Sequence, residues 1–336
     1  MAKVVKWGVM GNATIARLCV IPAIQKSDNG VLHALATRSP QRAKKAIGKN
    51  YIAHIYDSYE ALLADPEIDS VYIPLPNHLH HPWTLKALSA GKHVLCEKPL
   101  ACNAKEAREM ASTARDAGLV LMEAIMYRFH PRSQRIKQIV AEGGIGTPCL
   151  VRSAFCFRMS EKDWESPKNA RLKPEMGGGA LLDVGCYGVN VARWFLGTAP
   201  THVQAQAVYH SDGADVHVVG SLRFAEKGLA TIEASFVSAL QQTFTVVGRE
   251  GAIELPHNAF IPWEKDAGFI LRRHDQETGQ EYVIPGADEY QLMVEHFADV
   301  VLAKTELMYS AKDSIGNLQV LDALAQAAHT GKTIKL

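Results

Sequence analysis

Lys98 is the first residue whose type and position could do chemistry. It follows residues 93–96, an apolar run typical of a strand. Open α/β sheets bind ligands at the carboxyl ends of their strands, so an ammonium there can donate a hydrogen bond to a ligand oxygen. A surface lysine beside the turn-forming Pro99 is an equally good interpretation from position alone.

Asp183 and Tyr187 form the second candidate group, in the glycine-rich segment 177–187 at the start of a helix predicted over residues 179–195. They are four residues apart and therefore share a helix face. A phenol with a pKa of about 10 is a weak base at neutral pH, and a nearby ammonium would lower that pKa. Lys98 and Tyr187 could then relay the proton of an alcohol during its oxidation. The alternative for Tyr187 is a half-buried core tyrosine, and the alternative for Asp183 is a charge at a helix end.

The N-terminus supplies a turn suited to a phosphate. An apolar run ending at Met10 leads into a helical pattern with small residues at Gly11, Ala13 and Ala16, which approximates the GxGxxG/A dinucleotide fingerprint. Small residues let the backbone approach a pyrophosphate, which then lies on helix N–H groups. A tight turn without a ligand is the alternative. The predicted cofactor contacts of this turn are Gly11, Asn12, Ala13, Thr14 and Ile15.

The end of the second predicted strand, residues 31–37, favours NADP over NAD. An NAD-binding protein usually carries an acidic residue there, which accepts the ribose hydroxyls. This chain has Arg38 and Ser39 instead. A guanidinium suits a 2′-phosphate through charge-assisted hydrogen bonds. A solvated loop arginine is the alternative.

Composition excludes several classes of function. The net charge of +1 gives no reason to expect nucleic acid or an anionic membrane as a partner. The six cysteines are scattered, which is typical of reduced thiols in a cytoplasmic protein, and the apolar N-terminal run is too short for a signal peptide. His78, His80 and His81 lie close in sequence, but zinc would need further ligands, so we expect no metal site.

Strand and helix patterns predict an α/β protein of two domains. Residues 1–125 alternate strands with helices, which predicts a doubly wound parallel sheet and a dinucleotide-binding Rossmann domain. Residues 126–336 are rich in strands and turn residues, which predicts an α+β domain with a large, mostly antiparallel open sheet for substrate binding and oligomerisation. The last helix is free to pack back on the first domain.

With these motifs, the chain resembles the Gfo/Idh/MocA oxidoreductase family. The resemblance rests on the N-terminal phosphate turn and on residues 74–80 (PLPNHLH), 91–99 (GKHVLCEKP) and 178–187 (GGALLDVGCY). It implies that Lys98 is catalytic and that the segment from Asp183 to Tyr187 faces the nicotinamide. Further cofactor contacts are expected at Pro74, Leu75, Asn77, His80 and Glu97. It also implies a homo-oligomer, a dimer or tetramer, formed through the C-terminal sheet.

Tyr187 stands where many family members carry histidine. In this respect the chain resembles the branch of dimeric dihydrodiol dehydrogenase, xylose dehydrogenases, glucose–fructose oxidoreductase and deoxysugar 3-ketoreductases. In that branch tyrosine is the proposed acid/base and NADP is the common cofactor. In that branch the segment 122–131 implies that Glu123, Arg128 and His130 lie near the substrate. Arg171 is either a substrate contact or a salt-bridged structural residue.

We therefore expect an NADP-dependent oxidoreductase acting on a sugar or cyclic polyol. Tyr187 would be the acid/base, assisted by Lys98. The alternatives are a trans-dihydrodiol dehydrogenase, a redox glycosidase that uses tightly held NAD, and a nucleotide sensor without catalysis.

Overall fold

A six-stranded parallel sheet lies at the centre of the N-terminal part of the computed structural model, which describes residues 3–39 and 52–336. Its strands are β1 Val5–Met10, β2 Gly30–Ala36, β3 His54–Tyr56, β4 Ser70–Ile73, β5 His93–Glu97 and β6 Leu121–Ala124. They pair in the order β3-β2-β1-β4-β5-β6. This order is that of a doubly wound dinucleotide-binding sheet, with its reversal between β1 and β4.

Short helices connect these strands, as the alternating pattern predicts. They are α1 Ile21–Lys26, preceded by a π-helical turn at Ala16–Val20, then α2 Tyr59–Leu63, α3 His80–Ser89 and α4 Ala104–Asp116. The side chain of Asn103 caps α4 by accepting a hydrogen bond from the Glu106 amide at 3.0 Å. A basic helix predicted around residues 41–47 lies outside the described residues.

The C-terminal part of the chain contains a nine-stranded sheet. Its strands are β7 Pro148–Arg158, β8 His202–Tyr209, β9 Asp215–Arg223, β10 Leu229–Ser235, β11 Val237–Gly248, β12 Gly251–Leu255, β13 Ala267–Arg273, β14 Gln280–Ile284 and β15 Ile334–Lys335. Their order is β14-β13-β12-β11-β7-β10-β9-β8-β15. The β7–β10 pair is parallel and the other pairs are antiparallel. The predicted α/β fold, with a parallel and a mostly antiparallel sheet, is confirmed.

The remaining helices follow the same chain order. They are α5 Pro131–Ala141, α6 Glu161–Trp164, α7 Cys186–Leu196, α8 Glu289–Val301 and α9 Ala311–Thr330. A second π-helical turn, Leu181–Gly185, leads directly into α7. Short 3-10 turns lie at Asn77–Leu79, Met126–Phe129, Ala170–Leu172, Pro174–Met176 and Ala225–Lys227.

The chain divides into two compact units. Unit 1 comprises Met1–Phe129 and Asp288–Ile315, and unit 2 comprises His130–Ala287 and Gly316–Leu336. The domain boundary at residues 125/126, and the roles assigned to the two domains, stay predictions. The six cysteines, all within the described residues, form no disulfide. Within the same residues, no helix is both long and apolar enough to cross a membrane.

Candidate active site

The turn after β1 has the backbone that a phosphate-binding turn needs. Gly11 adopts a φ of +112°, which is strained for other residues, and its amide donates to the Ala36 carbonyl at 2.8 Å. A Cβ on Gly11 would lie 3.0 Å from Leu75 Cδ2. The backbone therefore lies close to the loop after β4, and only glycine fits there without a shift.

The helix that follows this turn keeps its first amides without a side-chain cap. The helix starts at Thr14, and Ile15, the residue before its π-helical turn, provides no side-chain cap. The buried Oδ1 of Asn12 also has no partner among the described residues. Uncapped amides at a helix start attract anions. These residues fit the pyrophosphate of a dinucleotide, and Gly11, Asn12, Thr14 and Ile15 would hold it.

Arg38 and Ser39 are exposed directly after β2. The positive charge of Arg38 acts on Tyr59, lowering the pKa of a phenol that burial raises. The Tyr59 hydroxyl would lie 3.4 Å from a Cβ on Gly11. Arg38 and the phosphate turn therefore share Tyr59 as a neighbour, which fits a ribose phosphate beside the pyrophosphate. The sequence does not single out Tyr59. Arg38 and Gly11 are distant from it in the chain and become its neighbours only when the sheet forms.

The loop after β4 is held from inside by His80. This side chain is completely buried, with Nε2 at 2.7 Å from the Leu75 carbonyl and Nδ1 at 2.9 Å from the Pro99 carbonyl. Burial lowers the pKa of His80 to about 4, so at neutral pH the ring carries one N–H and donates to one of the two carbonyls. His80 thus links the loops after β4 and β5, and any effect on a cofactor passes through them. Of the other predicted contacts in this loop, Pro74 is buried, whereas Leu75 and Asn77 are half-buried.

Lys98 follows β5, and its charge acts on two acids, the half-buried Glu97 and the buried Glu123. Glu97 accepts a hydrogen bond from the Tyr72 hydroxyl at 2.5 Å, and Glu123 Oε1 accepts one from the Leu100 amide at 2.9 Å. Burial raises the pKa of both carboxyl groups, while the Lys98 charge opposes that shift. The charge of the half-buried Lys98 therefore favours the ionised form of both carboxyl groups.

Glu123 and Arg128 are interior residues of unit 1. Glu123 is 1% exposed, and the Ser314 and Tyr309 hydroxyls lie near its carboxyl group. The Arg128 guanidinium lies 4.8 Å from the centre of the Tyr309 ring, a cation–π contact. These contacts give both residues a structural role, and their predicted contact with substrate stays a prediction.

His130 caps a helix and does not reach solvent. Its Nδ1 accepts a hydrogen bond from the Arg132 amide at 3.0 Å, at the start of α5. The ring is completely buried, and Nε2 has no hydrogen-bond partner among the described residues. The sequence interpretation missed this capping role, which the following proline, Pro131, could have signalled, because proline is common in a first helical turn.

In unit 2, Asp183 and Arg171 form an ion pair. The Arg171 Nε lies 2.7 Å from Asp183 Oδ2, and the Asp183 carboxylate raises the pKa of Arg171. Arg171 is therefore salt-bridged, and its predicted contact with substrate stays a prediction. The ion pair consequently holds Asp183 in place after the glycine-rich loop, one helical turn before Tyr187.

Tyr187 is anchored by an aromatic cluster of unit 2. The ring centres of Phe155 and Phe260 lie 5.2 Å and 5.0 Å from that of Tyr187. Only 3% of Tyr187 is exposed. An apolar wall of this kind fixes the ring plane and excludes water from it. In the part of the chain that the structure describes, no group of three or more metal-ligating side chains could hold a metal ion.

Two family models match the chain. Residues 5–125 match the model described as "Oxidoreductase family, NAD-binding Rossmann fold", and residues 133–254 match the GFO/IDH/MocA C-terminal domain. Together they span most of the chain, on both sides of the predicted domain boundary.

Individual relatives are similar over most of their length. The D-xylose 1-dehydrogenase (NADP(+)) 2 of Haloferax volcanii is 37% identical, with 98% of this chain and 99% of the relative covered. The trans-1,2-dihydrobenzene-1,2-diol dehydrogenase of Xenopus tropicalis is 33% identical over 76% of this chain and 77% of the relative. A 3-ketoreductase from Actinomadura kijaniata, solved with NADP and TDP-benzene, superposes with a TM-score of 0.87 at 28% identity over 97% and 98% of the two chains. The chain therefore belongs to the GFO/IDH/MocA family of oxidoreductases, which have an NAD-binding Rossmann fold.

Proposed function

We propose that this protein is an NADP-dependent oxidoreductase that transfers a hydride between the nicotinamide and a hydroxyl or carbonyl group of a sugar or cyclic polyol. The observation that carries the proposal is its similarity, along nearly the whole of both chains, to an NADP-dependent xylose dehydrogenase. The charge of Arg38, which acts on the Tyr59 side chain beside Gly11, also supports NADP.

Within this proposal, the bound nicotinamide supplies the hydride acceptor or donor. Tyr187 takes the proton from the substrate hydroxyl during oxidation and returns it during reduction. Lys98 assists because a positive charge stabilises the phenolate and lowers the pKa of the phenol. Solved structures of the Actinomadura ketoreductase include a Tyr→Phe variant and Lys→Ala and Lys→Glu variants.

A substrate panel tests the function. It contains D-xylose and other aldoses, nucleotide-linked keto-sugars and trans-1,2-dihydrobenzene-1,2-diol, each with NADP or NADPH in excess, and an aryl glycoside with NAD. We expect the absorbance of reduced cofactor to change in proportion to a sugar consumed. Turnover of the cyclic diol alone identifies a dihydrodiol dehydrogenase. Cleavage of a glycoside without net change in cofactor identifies a redox glycosidase, and cofactor binding without any turnover identifies a sensor.

Two substitutions test the assigned roles. Tyr187→Phe and Lys98→Met should each keep NADPH affinity while turnover falls about 10²-fold or more, the scale of general acid–base catalysis. Matched controls are Tyr282→Phe, on a ring stacked against Phe269, and Lys86→Met, on a surface lysine paired with Glu60. Steady-state kinetics and NADPH fluorescence titration provide the measurements. Unchanged turnover in Tyr187→Phe or Lys98→Met would remove that residue from the mechanism.

A further inference from the structure

The helix that carries Asp183 and Tyr187 begins without an acceptor of its own for its first amides. Its N-terminal residue is Ala180, whose side chain has no polar atom. The acceptor comes instead from β9, where Asp215 Oδ1 accepts a hydrogen bond from the Leu181 amide at 2.7 Å. A carboxylate at a helix N-terminus both satisfies an amide and interacts favourably with the helix dipole. Asp215 therefore caps this helix from 34 positions further along the chain.

Gly179 makes room for that carboxylate. It has a φ of +112°, and a Cβ at this position would lie 2.3 Å from Asp215 Oδ2. No larger residue could occupy position 179 with Asp215 in place. The glycine before the helix is therefore matched to an aspartate that lies on another strand.

Further along the helix, Gly185 and Gly188 pack closely against the nine-stranded sheet. A Cβ on Gly188 would lie 3.0 Å from Ile232 Cγ2, and a Cβ on Gly185 would lie 3.4 Å from Ala234 Cβ. Both neighbours belong to β10, the strand paired with β9. The Asp215 cap and these glycine contacts hold the helix on one surface at two places, before and after Asp183. Release of the cap would let the first turn shift.

We propose that Asp215 is a positioning residue of the active site: by capping the helix at Leu181, it sets the placement of Asp183 and Tyr187. The inference rests on the proposed role of Tyr187. Asp215 itself touches the helix backbone, and its effect on turnover passes through that helix.

Asp215→Asn and Asp215→Ala separate capping from charge. Asparagine keeps an oxygen acceptor for the Leu181 amide, whereas alanine removes it. In Asp215→Ala we expect faster hydrogen–deuterium exchange in the peptide covering residues 180–187, and kcat about tenfold lower, because small misplacements of reacting groups cost rate. KM for NADP should stay unchanged. Asp215→Asn should restore most of the protection and of kcat. Asp212→Ala, at an aspartate that pairs with Lys173, is the control.

A second variant approaches the same contact from the other side. Gly179→Ala places a methyl group against the Asp215 carboxylate and should reproduce the exchange and kcat defects. In the Asp215→Ala background the methyl group no longer meets a carboxylate, so the two substitutions should be less than additive. If one single variant is too unstable to purify, the other still reports on the contact.

The outcomes distinguish the two levels of the proposal. The assays use NADP with D-xylose, or with the panel substrate that is turned over fastest. Unchanged exchange and kcat in Asp215→Ala, with Tyr187→Phe inactive, overturn the role of Asp215 alone. Full turnover in Tyr187→Phe overturns the acid/base assignment, whereas the exchange data still report on the cap. Equal defects in Asp215→Asn and Asp215→Ala also overturn positioning by hydrogen bonding.

Discussion

At the scale of single residues, charge and burial separate groups that face ligands from groups that hold the protein together. Arg38 is exposed after β2, whereas His80 and His130 are completely buried. All three are polar residues near sequence motifs, so sequence patterns alone do not distinguish a ligand contact from a structural role. Burial decides that the two histidines act through the backbone groups they contact.

Arg38→Ala should shift the cofactor preference from NADP toward NAD. A hydrogen bond to a charged group contributes about 1.5–3 kcal/mol, so the ratio of the two affinities should fall by roughly 10- to 100-fold. Fluorescence titration with NADPH and NADH measures both affinities. Arg115→Ala, at a surface arginine paired with Asp116, is the control. The assignment of Arg38 to the 2′-phosphate does not survive if the ratio stays as in the wild type.

His130 makes the folded protein sensitive to acid. Burial, with Arg132 adding to it, lowers the pKa of His130 from 6.5 to about 4. Below pH 6.5 the unfolded chain therefore binds a proton that the folded protein takes up only near pH 4. The free energy of unfolding falls with this group by about 1.4 kcal/mol per pH unit across that window, and the loss is absent above it.

His130→Asn tests this linkage. Asparagine keeps a helix-capping acceptor for the Arg132 amide but does not titrate. Denaturant unfolding at pH 7 and pH 5 should show a shallower loss of stability in the variant than in the wild type, by about 1.4 kcal/mol per pH unit. Equal losses in the two proteins would show that His130 is not a source of the acid sensitivity.

At the scale of elements, the turn from β1 into the first helix is specified by a single glycine. Gly11→Ala adds a methyl group near Leu75 at a φ that favours glycine. Backbone strain of about 1–3 kcal/mol should move the turn and lower NADPH affinity about tenfold or more.

Gly91→Ala is the matched control for that prediction. Gly91 also has a positive φ, +75°, but nothing lies within 4 Å of its Cβ position. This variant should lose stability without losing NADPH affinity. Thermal unfolding and fluorescence titration of both variants provide the comparison, and equal affinity losses would refute a specific role for the turn.

At the scale of the whole molecule, the nine-stranded sheet offers an open face for self-association. Val219 on β9 is 47% exposed and is paired with Gln206 and Glu233 on the neighbouring strands. Homo-oligomerisation through this face stays a prediction. Val219→Lys should lower the mass measured by light scattering, because a charge would be buried at the interface. Leu18→Lys, at an exposed leucine of unit 1, should leave the mass unchanged. A wild-type monomer, or a variant of unaltered mass, rejects the prediction.

Much of the fold follows from local patterns. The sequence predicts β1, β2, β4, β5 and β6, the helix that begins after Asn103 and most strands up to β12, because apolar periodicity and capping residues act over a few positions. It does not predict β13 Ala267–Arg273 or β14 Gln280–Ile284. These strands are stabilised by pairing with β12, and a single short strand carries little signal of its own.

The candidate site divides in the same way. By itself the sequence determined the phosphate turn, the position of Lys98 after β5, the helix carrying Tyr187 and the absence of an acid after β2, since each depends on neighbours within a few residues. Only the tertiary structure decided the Arg171–Asp183 ion pair, the burial of His80 and His130, the acids beside Lys98 and the Asp215 cap. Those features join groups that are distant in the chain, and only the pairing of strands and the packing of helices bring their atoms within hydrogen-bonding distance.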